Sequence, residues 1–314
     1  MKKHRITVIT GANSGIGKAA AHRFASEGHT VVMACRNMER SKPVLKEIIS
    51  KTGNENITLM ELDISSFQSI KDFCHDFMSR FDRLDILIHN AAYFNHGEKY
   101  RLSADHLELT FATNVFGPLH MTELLLPHLK KTEEARILNA SSNIIKHFFD
   151  PKRDIELENL KGENTSDKSF SVYKMYCSSK MALVILTFIL AEEFRQHGVK
   201  VNALQINGAK MSKSTLQKVT PGWRTVAIIQ NLFFPPPEKM GDLYYDICTA
   251  EEFRDVTGKL FNDKKEIIQP ALPDPGLSAQ FRQLFSGVYY PLYADNRENR
   301  EKIWKFSKEV IKNK

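Results

Sequence analysis

The sequence is poor in cysteine and has no long apolar run. Its four cysteines, Cys35, Cys74, Cys177 and Cys248, are widely spaced and form no C-x-x-C pair. That argues against a zinc site or a disulfide framework and suits a reducing compartment. The longest apolar run, Met181 to Ala191, is too short to span a bilayer, so no transmembrane segment is expected. Neither a basic block nor a basic–aromatic alternation occurs, because 44 Lys and Arg are interleaved with 37 Asp and Glu. The net charge of +7 therefore points to an anionic small ligand and away from nucleic acid. Met1-Lys2-Lys3-His4-Arg5 is basic but runs directly into a strand-like segment and glycines. Without an apolar stretch and cleavage site it is not expected to be a signal peptide. His89, His96, His106 and His120 show no i,i+4 pairing with one another, and no metal site is implied. Repeats and low-complexity tracts are also missing. The expectation is a cytoplasmic protein.

What is present is ordinary globular material: 314 residues, 42% apolar and 26% charged, with room for a large core. Ile6-Thr7-Val8-Ile9-Thr10 is short, apolar and β-branched, as a buried strand should be. It runs into Gly11-Ala12-Asn13-Ser14-Gly15-Ile16-Gly17 and then a helical run from Lys18 to Glu27. A strand, a glycine-rich turn and a helix start present backbone N–H groups and a helix dipole to a phosphate. The spacing is G-x-x-x-G-x-G, distinct from the general G-x-G-x-x-G dinucleotide fingerprint.

The second strand, Thr30 to Cys35, ends in Arg36-Asn37, with no carboxylate until Glu39. A carboxylate there would hold a ribose 2′-hydroxyl, whereas a guanidinium suits a 2′-phosphate. Arg36 therefore points to NADP(H) as cofactor. A helix is expected over Met38–Lys51 and a third strand over Ile57–Leu62, followed by Asp63. Asp63 could accept a bond from an adenine amino group or cap the helix starting near Ser65-Ser66, and the two roles are compatible. The Phe67–Phe81 helix leads to a fourth strand, Leu84–Ile88, that ends in His89-Asn90-Ala91-Ala92. A fifth strand over 135–140 ends in Ser141-Ser142, and a sixth over 199–205 ends in Ile206-Asn207-Gly208. The order predicts an α/β fold, a doubly wound parallel sheet of Rossmann type with helices on both faces, in a single domain. The glycine loop, Arg36, Asp63 and Asn90 all fall at the carboxyl ends of strands, where such sheets bind ligands.

Between the fifth and sixth strands lies Tyr173-Lys174-Met175-Tyr176-Cys177-Ser178-Ser179-Lys180, opening a long helical run. Tyr176 and Lys180 are four apart and share a face. A free phenol titrates near ~10, and an adjacent ammonium would lower that value toward neutral pH. Tyr173 lies near the same face, but two turns, roughly 10.5 Å of rise, separate it from Lys180. The apolar face Met181–Ala191 serves either the core or a helix-to-helix homodimer.

These motifs resemble the short-chain dehydrogenase/reductase family. Thr10-Gly11-x-x-x-Gly15-Ile16-Gly17 is similar to its cofactor loop, and Asn114, a Ser after the fifth strand, Tyr176 and Lys180 are similar to its catalytic tetrad, in the same order. The likeness covers roughly residues 5 to 210. Ala34-Cys35-Arg36-Asn37, the long connection after Ser142 and Tyr176-Cys177-Ser178-Ser179-Lys180 resemble its retinol dehydrogenase-like branch, although the N-terminal membrane anchor of eukaryotic members is not expected here. The resemblance implies a carbonyl/alcohol oxidoreductase that uses NADPH. Tyr176 would exchange the proton, Lys180 would lower the phenol pKa and hold the ribose, and Ser142, favoured over Ser141 by the family pattern, would bind the substrate oxygen. Asn114 would orient Lys180 through a water, a role compatible with propping a helix kink near Gly117-Pro118. Gly11, Asn13, Ser14, Gly15, Ile16, Gly17, Arg36, Asp63, Ile64, Asn90, Ala91, Tyr176, Lys180 and Gly208 would line the cofactor. Two departures stand out: His89-Asn90-Ala91-Ala92 where the family usually reads Asn-Asn-Ala-Gly, and Asn207-Gly208 where it usually reads Pro-Gly. They motivate a competing expectation, a non-catalytic NADP(H)-binding sensor or scaffold.

Residues 1–210 are thus expected to form the dinucleotide-binding and catalytic core. Residues 211–314 would add a substrate lid, a last strand and a C-terminal helix to the same domain. Lys210-Met211-Ser212-Lys213 would reach the cofactor by analogy with the family's loop. The stretch Trp223–Phe234, closed by Pro235-Pro236-Pro237, reads as a helix that lids an apolar pocket, packs into the core, or touches a membrane surface reversibly. Helices are also expected over Leu243–Phe253 and Asp295–Lys312, and an extended loop over Pro270–Pro291. The expected substrate is a fairly apolar small carbonyl or alcohol.

Overall fold

Strand β1 (Ile6–Thr10) is buried at every position and hydrogen-bonds in parallel to β2 (Thr30–Cys35) on one side and β4 (Ile86–His89) on the other. It is the centre of a seven-stranded sheet in the order β3-β2-β1-β4-β5-β6-β7, with β3 at Ile57–Glu61, β5 at Arg136–Ser142, β6 at Lys200–Ile206 and β7 at Leu260–Phe261. All its pairings are parallel. The strand order reverses direction between β1 and β4, which opens a crevice beyond their carboxyl ends. The architecture comes from a computed structural model that describes residues 3–94, 99–158, 160–161, 170–211, 216–217, 219, 221–273, 276, 283 and 285–312.

One apolar core lies on each face of the sheet. Helices α1 (Gly15–Ser26) and α2 (Met38–Thr52), with the later helix Pro237–Thr249, cover one face. The other face carries α3 (Phe67–Arg80), a short α4 (Leu109–Phe111), α5 (Gly117–Leu129) and α6 (Val172–Glu193). Such continuous apolar strands need cover on both sides, which is why the sequence alternates strand with helix.

Helix α6 is 22 residues long with a mean hydropathy of 1.5 over its most apolar window, enough by length and composition to cross a membrane. Within the fold 78% of that window is buried. The helix packs on β5 and β6 on one side. On the other lies the C-terminal helix Arg297–Lys312, which buries Ile303, Val310 and Ile311. Arg300 ties the two helices together, with its guanidinium 5.3 Å above the Phe188 ring and 3.2 Å from Glu192. The apolar run Met181–Ala191 therefore serves the core.

Helix boundaries depart from expectation in two places. Helix α1 starts at Gly15, three residues early, because the glycine turn itself supplies the first helical turn. The helix expected over Leu243–Phe253 starts at Pro237 and ends at Thr249, with a separate 3-10 turn at Glu251–Phe253. Pro235 and Pro236 follow the preceding helix, Pro221–Phe233, and cannot continue it, whereas Pro237 sits in the first turn of the next, where its missing N–H costs nothing. The stretch expected to be an extended loop is pinned at its ends, where Gln269–Pro270 pairs in parallel with Tyr289–Tyr290.

Candidate active site

The turn after β1 is built for close backbone approach. Gly11 has φ +67°, and a Cβ on Gly17 would lie 2.4 Å from the Gly11 carbonyl oxygen and 2.5 Å from the Asn90 amide nitrogen. Only glycine fits at position 17. The turn is fastened to the end of β4 by reciprocal bonds. Thr10 Oγ1 accepts from the Asn90 and Ala91 N–H groups at 3.0 and 2.9 Å, and Asn90 Nδ2 donates to the Thr10 carbonyl at 3.0 Å. Tyr244 donates from its hydroxyl to Asn90 Oδ1 at 3.2 Å. Ala91 packs against Gly11, so Gly11, Gly17, Asn90 and Ala91 form one unit.

Asn13 Nδ2 donates to Ser41 Oγ at 2.9 Å, which holds the turn against α2. Ser14 is the N-cap of α1 but makes no side-chain capping bond, which leaves first-turn N–H groups without their usual partner. Ser14, Gly15 and Ile16 line a cleft of about 1020 Å³, with Asn90, Ala209 and Lys210 on its other walls. A helix N-terminus with open amides at such a cleft is an anion site by construction.

At the end of β2 the Arg36 side chain is 71% exposed, and its nearest carboxylate oxygen, on Asp63, is 3.9 Å away. A contact that long and exposed holds the guanidinium weakly. Asp63 Oδ1 is committed to the turn before α3, accepting from the Ser65 N–H at 3.0 Å and the Ser65 hydroxyl at 2.6 Å. Of the two roles open for Asp63, the turn is thus seen directly, and its second oxygen faces Arg36. The Ile64 side chain is buried in the core and its carbonyl abuts Gly117.

Beyond β6, Gly208 adopts φ +152°, and a Cβ there would lie 2.5 Å from the Phe234 ring. Phe234 therefore requires the glycine at 208, and the departure from the usual Pro-Gly order lies at Asn207. Lys210 and Met211 are bound to the far end of the Pro221–Phe233 helix. The Lys210 N–H donates to the Pro235 carbonyl at 2.9 Å, and the Asn231 side chain clamps both backbone groups of Met211 at 2.6 and 3.2 Å. Ser212, Lys213, His96 and the Trp223 side chain lie outside the described residues. The helix does not pack its large apolar residues into the core, since Ile229, Leu232 and Phe233 are 53%, 71% and 83% exposed. Its polar Asn231 and Arg224 turn inward to serve the loop instead, which overrules core packing as the role of this stretch.

Helix α6 enters the site through Ser171, whose side chain caps it by accepting from the Lys174 N–H. Tyr176 and Lys180 sit one turn apart, with the ammonium 5.7 Å from the centre of the phenol ring. Lys180 is buried and donates to the Ala140 carbonyl on β5 at 2.7 Å. Two residues further along β5, the Ser142 hydroxyl lies close enough to Tyr176 to lower its phenol pKa, and its oxygen accepts from the Ile144 N–H at 3.4 Å. The adjacent Ser141 is turned into the interior, where its hydroxyl has no partner. Strand alternation sends the two hydroxyls to opposite faces of the sheet. Tyr173 points elsewhere, its hydroxyl 2.7 Å from His147 Nε2.

The expected electrostatics of the pair need correction. Burial pushes the Tyr176 phenol up to about 12, partly offset by the nearby Ser142 hydroxyl, and burial lowers Lys180 to about 8. Desolvation of each group outweighs their mutual help because the ammonium is aimed at Ala140 and not at the phenol oxygen. A protonated Tyr176 and a lysine that titrates in the mildly alkaline range are the result.

Asn114 lies in a π-helical segment, Ala112–Phe116, between α4 and α5. Its Oδ1 accepts from the Tyr93 N–H at 2.8 Å, and its Nδ2 donates to the Tyr93 carbonyl at 3.1 Å and to Ser179 Oγ at 3.0 Å. The Ser179 hydroxyl in turn donates to the Tyr176 carbonyl at 2.8 Å. Asn114 thus reaches α6 at the residue before Lys180, through a serine. The widened turn is what frees the amide for three bonds.

Several contributors were not read from the sequence: Tyr93, Phe94, Ala140, Ser179 and Tyr244. Most act through backbone groups or across elements far apart in the chain, so no local pattern marks them. Ser179 was the readable one, a hydroxyl inside the quoted Tyr-x-x-x-Lys segment.

A family model for short chain dehydrogenases matches residues 5–149. Human retinol dehydrogenase 13 is 31% identical over 277 residues, covering 83% of this chain and 77% of that protein. Mouse retinol dehydrogenase 11 is 34% identical over 259 residues, 82% of this chain and 78% of that protein. Among solved structures, a Shigella flexneri short chain dehydrogenase complexed with NADP is similar in fold, with a TM-score of 0.64 at 22% identity, over 84% of this chain and 98% of that one.

Proposed function

The chain belongs to the short-chain dehydrogenase family, and from that premise we propose that it is an NADP(H)-dependent oxidoreductase that interconverts a carbonyl and an alcohol on a fairly apolar small molecule. The observation that carries the proposal is the meeting of Ser142, Tyr176 and Lys180 at the carboxyl ends of β5 and β6, together with the glycine-turn cleft beyond β1 and β4. The Gly17 cradle, the uncapped start of α1 and the exposed Arg36 fit a dinucleotide with a 2′-phosphate. The cofactor complexed with the Shigella structure supports the same reading.

When bound, such a cofactor supplies or takes up the hydride. The chain's own residues would do the rest. Ser142 would hydrogen-bond the substrate oxygen and hold it beside the phenol. Tyr176, protonated throughout the physiological range, would give its proton to that oxygen as negative charge develops on it, and would take one back in the oxidative direction. Lys180 would supply positive charge next to the ribose hydroxyls. Asn114 would hold Tyr93 and, through Ser179, the Tyr176 turn in register. Preference for an apolar substrate is supported by the identity to retinol dehydrogenases.

The test is NADPH consumption by the purified protein with a panel of aldehydes, ketones and retinoids, beside the Tyr176→Phe variant. Turnover by the wild type and a loss of roughly a hundredfold or more in the variant is expected. NADPH binding with no turnover of any panel member would overturn the catalytic reading in favour of a cofactor-binding sensor or scaffold.

A further inference from the structure

The ring of Phe94 lies on the ring of Tyr176, with centroids 4.4 Å apart and planes inclined by 30°. Nothing in the cofactor cleft or the proton path requires an aromatic residue there. Its placement is nonetheless held firmly from behind. Phe94 follows Tyr93 directly, and both backbone groups of Tyr93 are clamped by the buried Asn114. Asn114 is in turn bonded to Ser179, whose hydroxyl reaches the Tyr176 carbonyl. The chain after β4 and the Tyr176 turn of α6 are thus locked together by one amide, and the lock sets Phe94 over the phenol. Phe94 is nevertheless 39% exposed, so part of its ring remains accessible to solvent.

We propose that Phe94 is a specificity-determining residue of the reaction proposed above, a platform that selects substrates whose carbonyl is attached to a flat, conjugated group. The inference rests on that reaction. A substrate oxygen brought to Tyr176 and Ser142 has one face of the phenol already covered, and the open part of the Phe94 ring continues that surface. An aryl or enal group can lie flat against it in the offset geometry aromatic rings favour, whereas a puckered saturated group of the same carbon count touches it at fewer points. Discrimination by such a contact is roughly three- to tenfold. Asn114 is the positioning residue behind it.

The experiment compares kcat/KM with NADPH for two matched pairs, benzaldehyde against cyclohexanecarbaldehyde and cinnamaldehyde against 3-cyclohexylpropanal. Wild type, Phe94→Leu and Phe94→Tyr are measured, with NADPH affinity and thermal unfolding recorded for each. The planar-to-saturated ratio should fall roughly three- to tenfold in Phe94→Leu, mainly through KM for the planar member. It should be restored in Phe94→Tyr, which keeps the ring. Intrinsic reactivity differs between pair members but cancels in the comparison between variants. A ratio unchanged in Phe94→Leu while the wild type reduces both members overturns the Phe94 assignment and leaves the proposed reaction standing. Failure of the wild type to reduce any of the four, or any member of the wider panel, overturns both.

Discussion

Asn114 holds Tyr93 by both of its backbone groups, accepting from the N–H at 2.8 Å and donating to the carbonyl at 3.1 Å. One side chain thereby substitutes for a missing strand partner just beyond β4. The price is a π-helical turn, and the return is a fixed path for the chain over the candidate site. Asn114→Ala would leave the Tyr93 N–H and carbonyl and the Ser179 hydroxyl without this partner. A loss of roughly 1–3 kcal/mol of unfolding free energy is expected, together with reduced kcat/KM. Denaturant unfolding and steady-state kinetics read the two effects. A variant of wild-type stability would show that the clamp contributes nothing.

Lys180 gives a pH dependence with a definite sign. Its folded-state value lies near 8, below the ordinary 10.5, so the ammonium is present below about 8 and lost as the pH rises through it. If the charge helps hold the cofactor, NADPH affinity should be flat below neutral pH and weaken by up to tenfold per unit above about pH 8. Fluorescence titrations of NADPH from pH 6.5 to 9.5 measure this. The alkaline limb should vanish in Lys180→Met, and its persistence there would assign the titration to another group.

Arg36 is expected to decide between cofactors. Its pair with Asp63 is long and exposed, so Arg36→Ala should leave thermal stability nearly unchanged. Loss of a charge-assisted bond to a 2′-phosphate should weaken NADPH by roughly ten- to a hundredfold. Binding of NADH, which has no such phosphate, should hardly move. Equal losses for both dinucleotides would refute the assignment.

His89 makes the fold acid-sensitive. It is buried, with Nε2 2.8 Å from Thr122 Oγ1, and burial lowers its pKa from the ordinary 6.5 to about 3. Because the folded value is depressed, the unfolded chain takes up the proton first as the pH falls. Stability is therefore complete above about 6.5 and is lost between there and about 3. At pH 5 the loss is about 2 kcal/mol. His89→Asn has no proton to take up in that range and should show a flatter stability profile between pH 7 and 5 by denaturant unfolding. A profile as steep as that of the wild type would place the acid sensitivity elsewhere.

The parallel α/β order was legible in the chain because buried strands advertise themselves as short β-branched runs, and each is followed by a helix that must cover it. Asn90, Tyr176 and Lys180 were legible for a related reason, since each sits at a strand end or at helical spacing within one segment. The pKa inversion at Tyr176 was not legible. Spacing on a helix gives proximity, but the sign of the shift depended on burial and on the Ala140 carbonyl from β5 claiming the ammonium. Ser142 was favoured over Ser141 by the family pattern, but that the Ser141 hydroxyl is buried without a partner depended on the orientation of β5. The outward-facing apolar side of the Pro221–Phe233 helix could not be foreseen, because an apolar run alone reads the same whether it faces the core or solvent.

By itself, then, the sequence determined which elements form and which residues stand at the carboxyl ends of β1 to β6, because those depend on local propensity, periodicity and chain order. Only the tertiary structure decided what each side chain touches there: Asn114 on Tyr93, Lys180 on Ala140, Phe94 on Tyr176 and Phe234 on Gly208. Each of these contacts joins segments about 20 or more residues apart. The direction of a hydrogen bond and the cost of desolvating a charge are properties of such meetings, and no single segment carries them.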